Sequence, residues 1–83
     1  MQFQVYIIYS ITLDRYYVGH TDNLERRLGE HNTGQTRYTQ TGKPWVLKYT
    51  ENYDARPEAA RREAEIKRKK SRKYIEGLIS QAQ

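Results

Sequence analysis

Tyr6, Tyr17, Arg27, His31 and Glu63 are the side chains of this sequence whose chemistry could combine. Two phenols and an imidazole pass protons, a guanidinium grips anions through a planar fork of donors, and a carboxylate holds cations. Each also has an ordinary explanation when taken alone. A strand tyrosine is a core aromatic with a hydrogen-bonded tip. A histidine near a helix C-terminus is favoured by the helix dipole. An arginine on a helix makes a surface ion pair. Their joint interest depends on whether the elements carrying them converge.

Phe3 to Ser10 is rich in aromatic and β-branched residues, as a strand requires. Phe3, Val5, Ile7 and Tyr9 fall on one face, Tyr6 and Ile8 on the other. A strand apolar on both faces is a central one. Ile11 to Asp14 connects it to a second strand, Arg15 to His20, paired antiparallel. With Ser10 opposite Arg15, Tyr17 faces Ile8 and Gly19 faces Tyr6. Both phenols then share a face, and Gly19 leaves a gap beside the Tyr6 ring. A slip of one residue would separate the tyrosines.

A helix follows, opening at Asp22 with Glu25 three residues on, or at Thr21, and stopping at Gly34. Leu24 and Leu28 form its apolar stripe. Arg27 and His31, four apart, share a face bordering that stripe, while Arg26 and Glu30 point elsewhere. Thr33 to Pro44 is polar and broken by Gly34, Gly42 and Pro44, and reads as a loop. Its Arg37, Tyr38 and Lys43 suit a phosphate backbone or simply an exposed loop. Gly42-Lys43 is not a phosphate-binding P-loop, because the glycine spacing and the following residue are wrong. Trp45 to Tyr53 is a third strand with Trp45, Leu47 and Tyr49 on one side, Trp45 and Tyr49 as core.

Asp54 and Pro57 start the next helix. With Ala59 at zero and ~100° per residue, Ile66 falls near −20° and Glu63 near +40°. Glu63 therefore lies within the inward face, whereas Glu65 lies opposite with Arg61, Arg62 and Lys69. An inward carboxylate is costly unless paired, hydrogen-bonded or metal-bound. On periodicity alone, an ion pair with Lys67, four residues on, accounts for it. The helix breaks or bends near Ser71. Tyr74, Ile75, Leu78 and Ile79 then form a stripe that packs on the sheet, and residues 80–83 fray.

The chain has 83 residues, 36% hydrophobic and 30% charged, which predicts one globular domain over residues 1–83. No run is apolar enough to span a membrane, and no signal-peptide pattern is present. The absence of cysteine excludes disulfides and thiolate metal sites; a cytoplasmic location is the default expectation. The net charge of +5 and a pI near 9.6 favour an anionic partner, nucleic acid first. Nine of the fifteen Lys and Arg residues lie between Arg56 and Lys73. They form a solvated helix face or, with Lys67 and Lys70 among them, phosphate contacts without sequence readout. The architecture expected is α+β: a three-stranded antiparallel sheet flanked by helices in the order ββαβαα. The sheet face bearing Tyr6 and Tyr17 is expected to meet Arg27, His31 and Glu63.

Taken in order, these segments resemble the GIY-YIG endonuclease domain, in its small single-domain bacterial branch. Gln4-Val5-Tyr6 keeps only the tyrosine of the first signature, and Tyr17-Val18-Gly19 closely matches the second. The run Leu24-Glu25-Arg26-Arg27-Leu28-Gly29-Glu30-His31-Asn32 is similar to the family's following helix, and Arg62-Glu63-Ala64-Glu65-Ile66-Lys67 to its metal-binding segment. The resemblance spans Phe3 to Ile79. It implies a metal-dependent DNA endonuclease, with a repair or recombination role, using Mg²⁺ or Mn²⁺ held by Glu63. Arg27 would hold the phosphoryl oxygens. Tyr17 would be the favoured base, with Tyr6 and His31 orienting water or relaying its proton. Many such nucleases carry a separate DNA-binding domain. None is evident here, so target choice falls to the basic surface or to a targeting partner protein. Two other roles stay open: a non-catalytic nucleic-acid-binding module, or an interaction subunit of a repair complex.

Overall fold

The interior of the first strand decides the arrangement of everything else. In the computed structural model, which describes residues 2–34 and 37–82 apart from the side chains of Arg37 and Tyr38, Val5, Tyr6, Ile7 and Ile8 are all buried. β1 (Phe3–Ser10) is accordingly central, with β2 (Arg15–Thr21) on one side and β3 (Trp45–Tyr53) on the other, both antiparallel. The β1–β2 register is the expected one, with Ser10 opposite Arg15, Ile8 opposite Tyr17 and Tyr6 opposite Gly19. The connecting turn is held by Ser10 Oγ, which accepts from the Leu13 amide at 3.0 Å.

Helices cover both faces of the sheet, giving three layers. α1 (Leu24–Thr33) lays Leu24 and Leu28 against Tyr6, Ile8 and Trp45. α2 (Arg56–Lys69) and α3 (Arg72–Gln81) cover Val5, Ile7 and Val18 with Ala59 and Ile66 and the expected Tyr74, Ile75, Leu78 and Ile79 stripe. The order is ββαβαα.

Several local expectations are corrected. Asn23, rather than Asp22 or Thr21, caps α1 by accepting from the Arg26 amide at 3.0 Å; Thr21 belongs to β2, and its hydroxyl accepts from the Asn23 amide. Gly34 ends α1 in the left-handed conformation at φ 82°, as expected. Residues within the supposed loop form a 3-10 helix, Arg37–Gly42, with its own Thr39 buried and Trp45 packed against Gly42. α2 starts from Ala55 without a side-chain cap, with Pro57 in its first turn. It stops at Lys70, φ 48°, and Ser71 caps α3 by accepting from the Tyr74 amide, so the chain breaks there rather than bends. α3 stays helical through Gln81, into the tail expected to fray; Gln83 lies outside the described residues.

The faces of β3 also differ from the alternation expected. Tyr49 pairs with Ile7 but Leu47 pairs with Ile8, so Lys48 is an extra residue in a bulge. The bulge turns Trp45 toward Tyr6 and Ile8, and Tyr49 toward Val5 and Ile7. Both remain core residues, but in different layers. Arg62, assigned to an open polar face, instead forks onto Glu51 at 2.9 and 3.1 Å and donates to Tyr74, which ties α2 to β3 and α3.

Candidate active site

Tyr6 projects from the central strand across Gly19 of the neighbouring strand. A Cβ at Gly19 would lie 2.5 Å from the Tyr6 hydroxyl and 2.7 Å from Cζ, so only glycine leaves room for the phenol. The Tyr6 hydroxyl lies 2.8 Å from His31 Nε2, and His31 Nδ1 lies 2.7 Å from Thr39 Oγ1. His31 is fully buried at the last turn of α1. Burial, reinforced by the nearby Arg27 charge, pushes its pKa down to about 4. The neutral imidazole has one N–H, so it joins the two hydroxyls by donating at one nitrogen and accepting at the other. Burial pushes the Tyr6 phenol up to about 12, with Arg27 partly offsetting the rise. Tyr6 thus holds its proton.

Tyr17 stands on the same face, its ring centroid 6.4 Å from Tyr6, 5.0 Å from His31 and 6.3 Å from Trp45. Unlike Tyr6 it is only half-buried, and it is among the residues that line an open groove. Arg27 lies one turn before His31 on α1, half-exposed, and donates to Glu30 Oε1 at 2.9 Å. Glu30 stands beside Arg26, 3.8 Å from its Nε, and is still within reach of the Arg27 guanidinium, which it steadies. Around the site, Trp45 Nε1 donates to the Thr39 carbonyl at 2.8 Å, and Asn32 Nδ2 donates to the Trp45 carbonyl at 3.0 Å. These bonds fix the 3-10 helix against α1 and β3.

Glu63 reaches this region from the other layer. It stands between Ala59 and Ile66 on the buried face of α2, which packs on Val5 and Ile7 rather than on Tyr6 and Tyr17. The expectation that one sheet face meets all five residues is corrected accordingly: Tyr6, Tyr17, Arg27 and His31 share a face, and Glu63 comes round the edge strand β2. Its side chain is 19% exposed, with Oε1 2.7 Å from His20 Nδ1 and Oε2 2.6 Å from Lys67 Nζ. Lys67 bridges the layers, because its ammonium also lies 5.7 Å from the Tyr17 ring centroid. The Glu63 charge is felt across the edge, adding to the upward push on Tyr6.

His20 is the principal site residue that sequence reasoning passed over. It pairs with Val5, so extending the hairpin register by one residue places it on the α2 side of the sheet. Among the remaining candidates, Lys43 is exposed, with its ammonium over Gly34 at the C-terminus of α1. Lys67 and Lys70 line the groove beside Tyr17. Arg37 and Tyr38 fall on side chains outside those described.

The donor chemistry bears on what cation the site suits. Among the described residues, no group of three or more His, Cys, Asp or Glu side chains could hold a metal. One carboxylate is available, and the cation now on its Oε2 is a half-exposed lysine. That fits a hydrated hard cation held by a single carboxylate, as Mg²⁺ commonly is, and not an all-protein cage.

The fold and the ordered segments define a GIY-YIG protein. The family model described as "GIY-YIG catalytic domain" matches residues 2–75, and the chain belongs to that family. Its relatives are UPF0213 proteins, a designation that names no activity. One from Halobacterium salinarum is 45% identical over 63% of this chain and 69% of its own length. One from Staphylococcus haemolyticus is 48% identical over 61% of this chain, and the match spans 63% of that relative's length. The relatives are thus archaeal as well as bacterial. A solution NMR structure of a UPF0213 protein from Bacillus halodurans is similar at a TM-score of 0.60 and 33% identity, covering 96% of this chain and 84% of that one. The fold is therefore of the GIY-YIG nuclease type. No helix among the described residues is long and apolar enough to cross a membrane.

Proposed function

We propose that this protein is a metal-dependent DNA endonuclease hydrolysing phosphodiester bonds. The observation that carries this reading is the position of Tyr17, whose ring centroid lies 5.0 Å from that of His31 and 5.7 Å from the Lys67 ammonium seated on Glu63. Glu63 would hold Mg²⁺ or Mn²⁺, which when bound supplies positive charge to the scissile phosphate and its leaving oxygen. Arg27 holds the phosphoryl oxygens with its planar fork, steadied by Glu30. Tyr17, acting as the phenolate after its own proton has passed to solvent, takes the proton of the attacking water. Tyr6, His31 and Thr39 form the buried chain that orients this proton transfer. Lys43 and Lys67 grip flanking phosphates without reading bases. A role in repair or recombination in the cytoplasm, with target choice by the basic surface or a partner protein, accords with this reading.

One observation favours a second reading. Both Glu63 oxygens already have partners, His20 and Lys67, which suits a binding module that does no chemistry. Nicking of supercoiled plasmid separates the two. The nuclease reading expects nicking with Mg²⁺ or Mn²⁺ that chelator abolishes and that Tyr17→Phe and Arg27→Ala each strongly reduce. DNA binding with no metal-dependent nicking supports the second reading.

A further inference from the structure

Thr39 belongs to the 3-10 helix, outside the strands and α-helices that carry the other site residues, and its side chain is fully buried. The Trp45 indole N–H holds it in place by donating to its carbonyl at 2.8 Å. The Thr39 hydroxyl lies 2.7 Å from His31 Nδ1, and the Tyr6 hydroxyl lies 2.8 Å from His31 Nε2. A neutral imidazole donates at one nitrogen and accepts at the other, so this chain of three groups has two possible directions. Arg27 decides between them. A guanidinium carries donors and no acceptor. Arg27 acts on the Tyr6 oxygen as such a donor, and so draws the phenol back from the rise that burial imposes. The single Tyr6 hydrogen therefore turns away from Arg27, and among the described residues His31 Nε2 is the acceptor within its reach. Nε2 accepts, the imidazole hydrogen sits on Nδ1, and Nδ1 donates to Thr39 Oγ1. In the opposite direction the Tyr6 hydrogen would point at a cation or into the packing of Ile8 and Trp45, and a buried donor without an acceptor is costly.

We infer that Thr39 is a positioning residue of the active site: by accepting from His31 Nδ1 it holds the imidazole in one tautomer, so that Tyr6 donates to His31 and keeps its oxygen as an acceptor for Arg27. Thr39 touches no reacting atom and acts through His31 and Tyr6 on the guanidinium. Arg27 is then held from two sides, by Glu30 Oε1 at 2.9 Å and by the Tyr6 oxygen. This role rests on the nuclease reading, in which the guanidinium grips the phosphoryl oxygens, and it divides the work among the proton-bearing groups. The Nε2 lone pair is filled by the Tyr6 hydrogen and Nδ1 carries its own, so His31 is closed to a proton from water. For Tyr6 to take one, it would have to pass its own to Nε2 and create a buried imidazolium beside Arg27. Tyr17, which is not a link of this chain, is the phenol left for that step.

A long-range proton–nitrogen correlation spectrum of the His31 ring tests it in metal-free protein near neutral pH, because it separates a protonated ring nitrogen from a bare one. Thr39→Val keeps the shape and removes the acceptor; Thr39→Ser restores it. In the wild type and Thr39→Ser, Nδ1 is expected to be protonated and Nε2 bare. In Thr39→Val the hydrogen should move to Nε2, wholly or in part, and the Arg27 Nε–H should exchange faster with water. Plasmid nicking should fall roughly ten- to a hundredfold in Thr39→Val, the order of loss that misplacement of a reacting group produces, and return in Thr39→Ser. Hydrogen on Nε2 in the wild type, an unmoved hydrogen in Thr39→Val, or full nicking by that variant despite a moved hydrogen each overturns the inference. The wild-type spectrum alone decides the direction of the chain, so failure of Thr39→Val to fold does not shield it. The expected tautomers with no nicking by any of the three proteins would count against the nuclease reading and not against the hold of Thr39 on His31.

Discussion

His20 Nδ1 lies 2.7 Å from Glu63 Oε1, joining the edge strand β2 to helix α2 at the border of the two layers. The contact leaves Glu63 one oxygen occupied by a fixed imidazole and the other by a half-exposed lysine. In the proposed nuclease this carboxylate would exchange the lysine for a metal ion while keeping its imidazole partner.

If His20 serves to orient Glu63, His20→Ala should weaken Mn²⁺ binding by about 10–100-fold, the usual cost of losing an outer partner of a metal ligand. Calorimetric titration of Mn²⁺ into both proteins measures this. Equal affinities would reduce His20 to a structural contact.

On the proposed reading, Lys67, 2.6 Å from Glu63 Oε2, would compete with a metal ion for that oxygen. An i,i+4 ion pair of this kind is worth about 0.3–0.5 kcal/mol. Lys67→Met should therefore bind Mn²⁺ roughly twofold more tightly while binding DNA less tightly. Weaker metal binding in this variant would show that Lys67 supports the ion instead of displacing it.

Gly19→Ala should be destabilising by about 1–3 kcal/mol, the range for overpacking a buried site. The added methyl meets the Tyr6 phenol at 2.5 Å, and Tyr6 is enclosed by Ile8, Trp45 and α1. Urea unfolding measures the loss. A change below about 0.5 kcal/mol, as at an ordinary surface site, would mean that the phenol yields freely.

Acid should destabilise the fold partly through His31. Its folded pKa of about 4 lies below the ordinary 6.5, so between these values the unfolded chain binds the proton and the folded chain does not. Stability is full above pH 6.5 and falls as pH drops toward 4, by about 2–3 kcal/mol from this group. Carboxylates titrate in part of the same window, so the comparison is with His31→Gln. That variant starts less stable near neutrality but should lose less on acidification; parallel pH profiles would contradict the assignment of a buried neutral imidazole.

The β1–β2 hairpin could be read from sequence because its constraints are local. A four-residue connection fixes Ser10 opposite Arg15, and the shared face of Tyr6 and Tyr17 follows from period two. The inward placement of Glu63 was similarly available from the helical period around Ala59 and Ile66. Which layer α2 joins was not available, because periodicity shows that a face is buried but not against what. The bulge at Lys48 carries no glycine or other local signal, so the split of Trp45 and Tyr49 between layers depends on sheet twist and packing. The 3-10 helix around Thr39 is similarly tertiary in origin, since the contacts that hold it, to His31 and Trp45, come from other elements.

The most direct test of the central claim is nicking of supercoiled plasmid across a Mn²⁺ titration by the wild type and by Glu63→Gln, a substitution close in size that removes the negative charge. The account predicts that the wild type nicks with saturable dependence on the ion, whereas Glu63→Gln remains folded, still binds DNA and does not nick. Equal nicking by the two proteins, or nicking by the wild type in excess chelator, would contradict it.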